Sequence, residues 1–348
     1  MKSEDIEKDY QKNIPMQVIE DTLKWNTAQK VETVAGLNQR IADGTFPQLV
    51  QAADARYESF IDAGAAAIIN QDHPVRLVII AGPSSSGKTT ATIKTSERLR
   101  KKDLQLVPMV MDNYFFDLHM HPRDEYGDYD FETPQALDIP LINKHLADLL
   151  KGKEIQMPIY DFKSGLRLKE TVPLKIKENE IILIDSLHGL YEPMTASVPH
   201  EVKFRIYIET LSQLKDARGE WTRWTDIRLL RRMIRDSWHR SYEPVRTIGH
   251  WHYVRRSEMK HIVPFITETD FVINGSLAYE LPILKKYLFK FLIQAMDEYR
   301  NDPGKKDAYA RSERVHNLLD SITMVEDDSC VPSTSPLREF IGGSSYKY

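Results

Sequence analysis

The chain has 348 residues, 41% of them hydrophobic and 28% charged, with a formal net charge of −4. That composition is ordinary for a globular protein, long enough to bury a sizeable core, and its charge excludes a surface given over entirely to nucleic acid. The single cysteine, Cys330, excludes an internal disulfide and a Cys-rich zinc site. No apolar run approaches the roughly 20 residues of a membrane span, and the start Met1-Lys2-Ser3-Glu4-Asp5 has no apolar signal segment. The expectation is a cytoplasmic enzyme.

In chain order, Pro15 to Lys30 and Phe46 to Asn70 are predicted helices, the second containing the Ala-rich stretch Ala63 to Ile69. Asn70-Gln71-Asp72-His73-Pro74 breaks the pattern. Val75 to Ile80 is an apolar, β-branched run that predicts a buried parallel strand, and Thr90 to Lys101 predicts a helix. Between them, Gly82-Pro83-Ser84-Ser85-Ser86-Gly87-Lys88-Thr89 satisfies G-x-x-x-x-G-K-[ST] without a mismatch. Strand, glycine-rich turn and helix make a phosphate cradle. Successive backbone N–H groups of Gly82, Ser84, Ser85, Ser86 and Gly87 point inward, and the helix start at Lys88, Thr89 and Thr90 adds partial positive charge. In such a loop Lys88 reaches the β- and γ-phosphates of ATP or GTP, and the Thr89 hydroxyl ligates Mg²⁺.

Further strands are predicted at Gln105 to Met111, Ile181 to Ile184, Phe204 to Ile208 and Phe271 to Ile273. Helices are predicted at Pro140–Lys151, Asp226–Arg240, Tyr279–Glu298 and Ala308–Ile322. Ile155 to Phe162 and Leu166 to Lys175 flank Lys163-Ser164-Gly165 as a β-hairpin. The alternation predicts the P-loop NTPase architecture, a three-layer α/β/α fold around a mainly parallel sheet, with the hairpin laid over the substrate site. The expected division is a helical extension over residues 1–70, a kinase-like domain over 71–300, and a C-terminal helix and tail over 301–348 docking through Leu337, Phe340 and Ile341.

Phosphoryl transfer also needs a base, a metal-side acid and cations. Asp112 follows the run Leu106 to Met111, and ligands in open α/β sheets lie beyond the carboxyl ends of strands. It is placed to accept a hydroxyl proton; the plainer reading is a loop-capping Asp. Asp185 closes the apolar run Ile181 to Ile184, as a Walker-B acid does and as many strand ends do. Arg228, Arg232 and Arg235 recur at helical spacing beside Arg231, followed by Arg240, Arg246, Arg255, Arg256 and Lys260. They form either a phosphate-clamping lid or a solvated helix face. An RNA-binding stripe is disfavoured, since few aromatics are interleaved, Trp238, Trp251 and Tyr253 among them. His119 and His121 make an H-x-H near Asp117, Asp124 and Glu125, without a third ligand at firm spacing.

With these residues in place, the chain resembles the phosphoribulokinase/uridine kinase family of P-loop kinases, especially bacterial uridine kinase-like proteins. The resemblance rests on the P-loop and on Asp112-Asn113-Tyr114-Phe115, Tyr129-Asp130-Phe131-Glu132-Thr133-Pro134 and Tyr160-Asp161-Phe162-Lys163-Ser164-Gly165. It continues through Asp185-Ser186-Leu187-His188-Gly189-Leu190, Arg231 to Asp236, and the tail Leu337 to Ser344. It implies an ATP- and Mg²⁺-dependent kinase acting on the 5′-hydroxyl of uridine or cytidine. Asp112 is then the base, Lys88, Arg232 and Arg235 stabilise charge, and Thr89 and Asp185 are on the metal side. Tyr114, Glu132, Tyr160, Phe162, Arg167 and Arg240 lie around the acceptor. The resemblance also implies a homo-oligomer. Three departures stand out. Asp185 and Ser186 replace the usual Glu-Gly, and Gly165 stands where nucleoside-specific members carry a pyrimidine-contacting His. Without that donor, recognition of a pyrimidine does not follow from the motif. Another acceptor, a pentose phosphate or polyol, or a nucleotide-dependent regulator of RNA or protein, is the alternative.

Overall fold

A computed structural model describes residues 13–123, 129–131, 133–240 and 242–347, with the backbone alone at 239 and 240. Among the described residues, five parallel strands form the central sheet in the order β2-β5-β1-β6-β7. They are β1 (Leu77–Ala81), β2 (Gln105–Pro108), β5 (Glu180–Ser186), β6 (Lys203–Glu209) and β7 (Phe271–Asn274). β3 (Ile155–Asp161) and β4 (Leu166–Leu174) pair antiparallel as the separate hairpin. The helices are α1 (Met16–Ala28), α2 (Val34–Ala42), α3 (Phe46–Ile69), α4 (Lys88–Arg100), α5 (Ile139–Leu150) and α6 (Trp224–Arg240). They continue with α7 (Pro244–His261), α8 (Glu280–Tyr299), α9 (Lys306–Asp320) and the short α10 (Arg338–Ile341).

β1 shows why the sheet is central. All five of its residues are buried, as a strand covered on both faces requires. Side chains alternate across it: Val78 and Ile80 join one apolar core with Tyr57, Ile61, Leu230 and Leu284, while Leu77, Ile79 and Ala81 join a second with Ile142, Leu146 and Ile184. The first core includes α3, so the N-terminal helices share it with the sheet.

Three elements differ from the sequence reading. β2 stops at Pro108, which lacks the N–H to continue a ladder, and Asp112 lies in a one-turn 3₁₀ helix, Met111–Tyr114. α2 was unpredicted; Thr33 caps it, its Oγ1 accepting from Gly36 N at 3.1 Å. α7 was also unpredicted, because charged Glu258 is buried on its inner face where an apolar residue would have marked the period.

Asp54 on α3 accepts hydrogen bonds at Oδ1 from Tyr279 (2.7 Å) and Ser335 (3.1 Å), tying this helix to the start of α8 and to the tail. Burial pushes its carboxyl up to about 6. Because the native state binds the proton more tightly than the unfolded chain, this group's contribution is full below about pH 4 and is lost as pH rises through 6. The shift is worth up to ~3 kcal/mol. Unfolding free energies measured from pH 4 to 7 are therefore expected to fall less steeply in Asp54→Asn than in the parent chain; equal slopes would refute this assignment.

Candidate active site

The P-loop follows from β1 and α4. Ser85 and Gly87 both take positive φ, 61° and 94°, and Gly87 sits at the N-cap of α4, where a left-handed turn is cheap only for glycine. The loop's Ser85 and Ser86 hydroxyls are buried without a hydrogen-bond partner among the described residues. Lys88 folds back, its Nζ donating to the carbonyls of Gly82 (2.9 Å) and Pro83 (3.2 Å). Burial holds this amine below its ordinary pKa, with Asp185 partly offsetting it. Thr89 is exposed at the loop's mouth.

One face of α6 is a column of arginines against this loop. Arg228 Nη1 donates to Ser84 O at 3.2 Å and Arg231 Nη1 to Ser86 O at 3.4 Å. Arg232 and Arg235 donate to Ser84 Oγ at 2.6 and 3.0 Å. The spacing of three, four and seven residues puts all four on one side. They divide into two pairs. Arg228 and Arg231 are 0% exposed and matched by carboxylates: Glu209 (2.7 Å) and Glu258 (2.5 Å) for Arg228, Glu280 (2.7 Å) for Arg231. These fix the shape of the loop and are not a solvated face. Arg232 and Arg235 are partly exposed, beside Asp236, and face the loop from the open side.

Asp185 neighbours Ile80 in the sheet register, next to the loop. Burial pushes its carboxyl up, countered by Lys88, and the charge of Asp112 pushes it further. Thr92 Oγ1 donates to its Oδ2 at 3.4 Å. The Asp112 carboxylate is exposed and close enough to be felt by Asp185. Asp185, Thr92 and Lys88 thus lie together beside the phosphate loop, with Asp112 near enough for its charge to act on Asp185. The hard oxygens of Thr89 and Asp185 suit Mg²⁺, which takes few protein ligands and keeps waters and phosphate oxygens. No cluster of three or more His, Cys, Asp or Glu with metal-site geometry exists among the described residues, and Asp124 and Glu125, set near His119 and His121 by the sequence, lie outside them.

The hairpin and the loop after Asp112 build an aromatic cluster. Phe115, His121, Phe131, Tyr160 and Phe162 form a cluster with ring centroids 4.8–6.3 Å apart. Phe162 is 60% and Phe131 40% exposed, an unusual share for large apolar rings. Asn113 Oδ1 accepts from Tyr160 N at 3.2 Å, joining the hairpin to the Asp112 turn. Arg167 has a positioning role: its guanidinium donates to Tyr114 O (2.7 Å), Phe115 O (2.6 Å) and Asp138 (2.9 Å). Tyr114 turns into the core, bonded to His145 Nδ1 at 2.8 Å and away from the cluster. Glu132 lies outside the described residues, as does the Arg240 side chain.

Gly165 also has a structural cause. Its φ is +70°, and a Cβ there would stand 2.9 Å from Leu118 Cβ. Leu118 N donates to Gly165 O at 2.8 Å, so the hairpin tip packs directly on the loop leading to His121. No side chain fits there. The imidazole in this region is that of His121 instead, with Nε2 on Phe116 O (2.8 Å) and Nδ1 buried without a partner among the described residues.

The profile described as "Phosphoribulokinase / Uridine kinase family" matches residues 77–278, more than half of the chain. The chain belongs to this family. Among curated relatives it is 32% identical over 164 residues to uridine-cytidine kinase B of Dictyostelium discoideum, covering 47% of this chain and 59% of that protein. It is 31% identical over 175 residues to the uridine kinase of Mycoplasma pneumoniae, covering 50% and 73%. Among solved structures, one of a possible uridine kinase from Bacillus stearothermophilus aligns over 62% of this chain and 97% of that one, at 15% identity and a TM-score of 0.42.

Outside the family-matched span, one residue enters the site that sequence reasoning missed. Glu339 of α10 takes two hydrogen bonds on Oε2 from Thr90, from N at 3.2 Å and Oγ1 at 2.6 Å. Thr90 was read as a phosphate donor, and here its donors hold a carboxylate from the tail. The tail's apolar residues, Leu337, Phe340 and Ile341, signalled docking, but nothing local to Glu339 identified its target.

Proposed function

We propose that this chain is a kinase that uses ATP and Mg²⁺ to phosphorylate the 5′-hydroxyl of uridine or cytidine. Family membership supports phosphoryl transfer to a small molecule. The observation that carries the choice of acceptor is the aromatic cluster of Phe115, His121, Phe131, Tyr160 and Phe162. Stacking rings suit a flat heterocycle, whereas a pentose phosphate or polyol asks for hydrogen-bonding and cationic groups.

Each group has a task in this reading. Asp112, exposed beside Asp185, accepts the proton of the attacking hydroxyl. Lys88 exchanges the Gly82 and Pro83 carbonyls for phosphate oxygens, and Arg232 and Arg235 exchange Ser84 Oγ for the transferring group. Thr89 and Asp185 would hold Mg²⁺, which supplies charge neutralisation across the β- and γ-phosphates. Arg228 and Arg231 keep the loop carbonyls fixed, and Arg167 keeps the Asp112 turn against the hairpin.

ADP formation measured across uridine, cytidine, adenosine, ribulose 5-phosphate and glycerate tests the acceptor. Turnover with pyrimidine nucleosides is expected; turnover with a sugar phosphate or glycerate alone refutes the nucleoside assignment. Glu339 gives a second prediction. Its carboxylate occupies two donors that the reading assigns to a phosphate and repels that phosphate as well. Glu339→Gln is expected to tighten binding of a non-hydrolysable ATP analogue about tenfold, the scale of one charge-assisted hydrogen bond. Unchanged or weaker binding in a fluorescence titration would show that Glu339 does not compete with nucleotide.

A further inference from the structure

A cavity of about 940 Å³ opens between the start of α6, the outer face of α7 and α9. None of its lining residues belongs to the P-loop, the hairpin or the ends of the strands. Six cations line it, Arg223, Arg255, Arg256, Lys260, Arg311 and Arg314, against two carboxylates, Asp226 and Asp307. The lining balance of six positive and two negative groups contrasts with the −4 of the whole chain. Both carboxylates are committed: Arg314 donates to both oxygens of Asp226 at 2.8 Å, and Arg311 to Asp307 at 2.8 Å. Arg255 pairs with Glu258, which also receives two bonds from buried Arg228.

We propose that this cavity is a second ligand site, for a small molecule bearing at least two phosphate or carboxylate groups. Like charges gathered in a concave, partly desolvated space repel one another and concentrate a positive field, which an anion relieves. Burial holds the Arg311 guanidinium below its ordinary pKa, although Asp307 and Asp226 draw it up. The guanidinium groups offer forked donors that match phosphate oxygens in pairs. The volume is that of a pocket for a metabolite, near the upper end of small-ligand sites. A cavity of this shape favours a small molecule over a nucleic-acid strand, which needs a continuous groove with stacking platforms.

The α9 wall lies outside residues 77–278, so the site combines a family element with one added beyond it. The cavity is also linked to the phosphate loop. Arg255 contacts Glu258, Glu258 contacts Arg228, and Arg228 donates to the Ser84 carbonyl. Its ligand thus sits at one end of a chain of ion pairs whose other end shapes the P-loop.

Titration calorimetry of the full chain with inorganic pyrophosphate tests the site, since pyrophosphate fits both the P-loop and this cavity. The parent chain is expected to bind two equivalents. Lys88→Ala is expected to retain only the cavity equivalent, and Arg223→Glu/Lys260→Glu only the P-loop one, with the cavity affinity lowered at least tenfold. Combining all three is expected to abolish binding. Arg223 and Lys260 are exposed, and the milder Arg223→Gln/Lys260→Gln pair provides a check that any loss is not unfolding. A single equivalent in the parent chain, removed by Lys88→Ala and untouched by the Arg223/Lys260 pair, overturns the proposal. So does binding of single-stranded RNA through Arg223 and Lys260 in place of pyrophosphate.

Discussion

Asp112→Asn is expected to lower kcat by 10²- to 10⁴-fold, the range that a positioned general base contributes, while leaving the affinity for an ATP analogue unchanged. The substitution keeps the shape of the exposed side chain and removes its negative charge, and with it the capacity to take a proton. Two further observations sharpen the expectation. The Asp112 turn is held by backbone carbonyls of Tyr114 and Phe115 on Arg167 and by Asn113 on the hairpin, so it has anchors besides the Asp112 carboxylate. Its charge also acts on Asp185, so the variant relieves a repulsion at that carboxylate. If Asp112→Asn keeps parental kcat in a coupled ADP assay, Asp112 is a loop cap and not the base.

Glu258→Gln is expected to destabilise the fold by about 3–5 kcal/mol, the cost of leaving a buried cation without its partner. Arg228, fully buried, is balanced by Glu209 and Glu258, and Arg255 also rests on Glu258. Burial raises the Glu258 pKa, but Arg228 and Arg255 outweigh it and hold the carboxyl below its ordinary value. The stabilisation is therefore present above the ordinary carboxylate range and is lost as pH falls through the lowered value. Urea unfolding at pH 7 measures the loss. The P-loop is expected to suffer too, because Arg228 bonds Ser84 O, so nucleotide affinity falls alongside stability. A variant with parental stability would show that Glu209 alone balances Arg228.

The parts that were legible in the sequence are those determined locally. The P-loop needs two glycines, a lysine and a hydroxyl at fixed spacing, with a strand before and a helix after, all within residues 77–100. The hairpin reads from two segments, Ile155 to Phe162 and Leu166 to Lys175, flanking the turn Lys163-Ser164-Gly165. What was not legible depends on pairs distant in sequence. Arg228 and Glu258 are 30 residues apart, Arg231 and Glu280 are 49, and Thr90 and Glu339 are 249. An arginine with a buried carboxylate partner and one on a solvated face look alike along the chain, so spacing alone did not separate Arg228 and Arg231 from Arg232 and Arg235; only the family resemblance did. α7 was missed for the same reason, since an ion pair fills the position that periodicity reserves for an apolar residue. The absence of a His at Gly165 was visible, but not that the close approach of Leu118 forbids any side chain there. Nor was it visible that His121 enters the same region from another loop.

Transfer of a phosphoryl group to the sugar of a pyrimidine nucleoside is tested most directly by its product. Phosphorus NMR of a reaction containing uridine, ATP and Mg²⁺ is predicted to show a monophosphate ester coupled to the two protons of the ribose 5′ carbon, formed in equal amount with ADP. ADP accompanied by inorganic phosphate and unmodified uridine would contradict it.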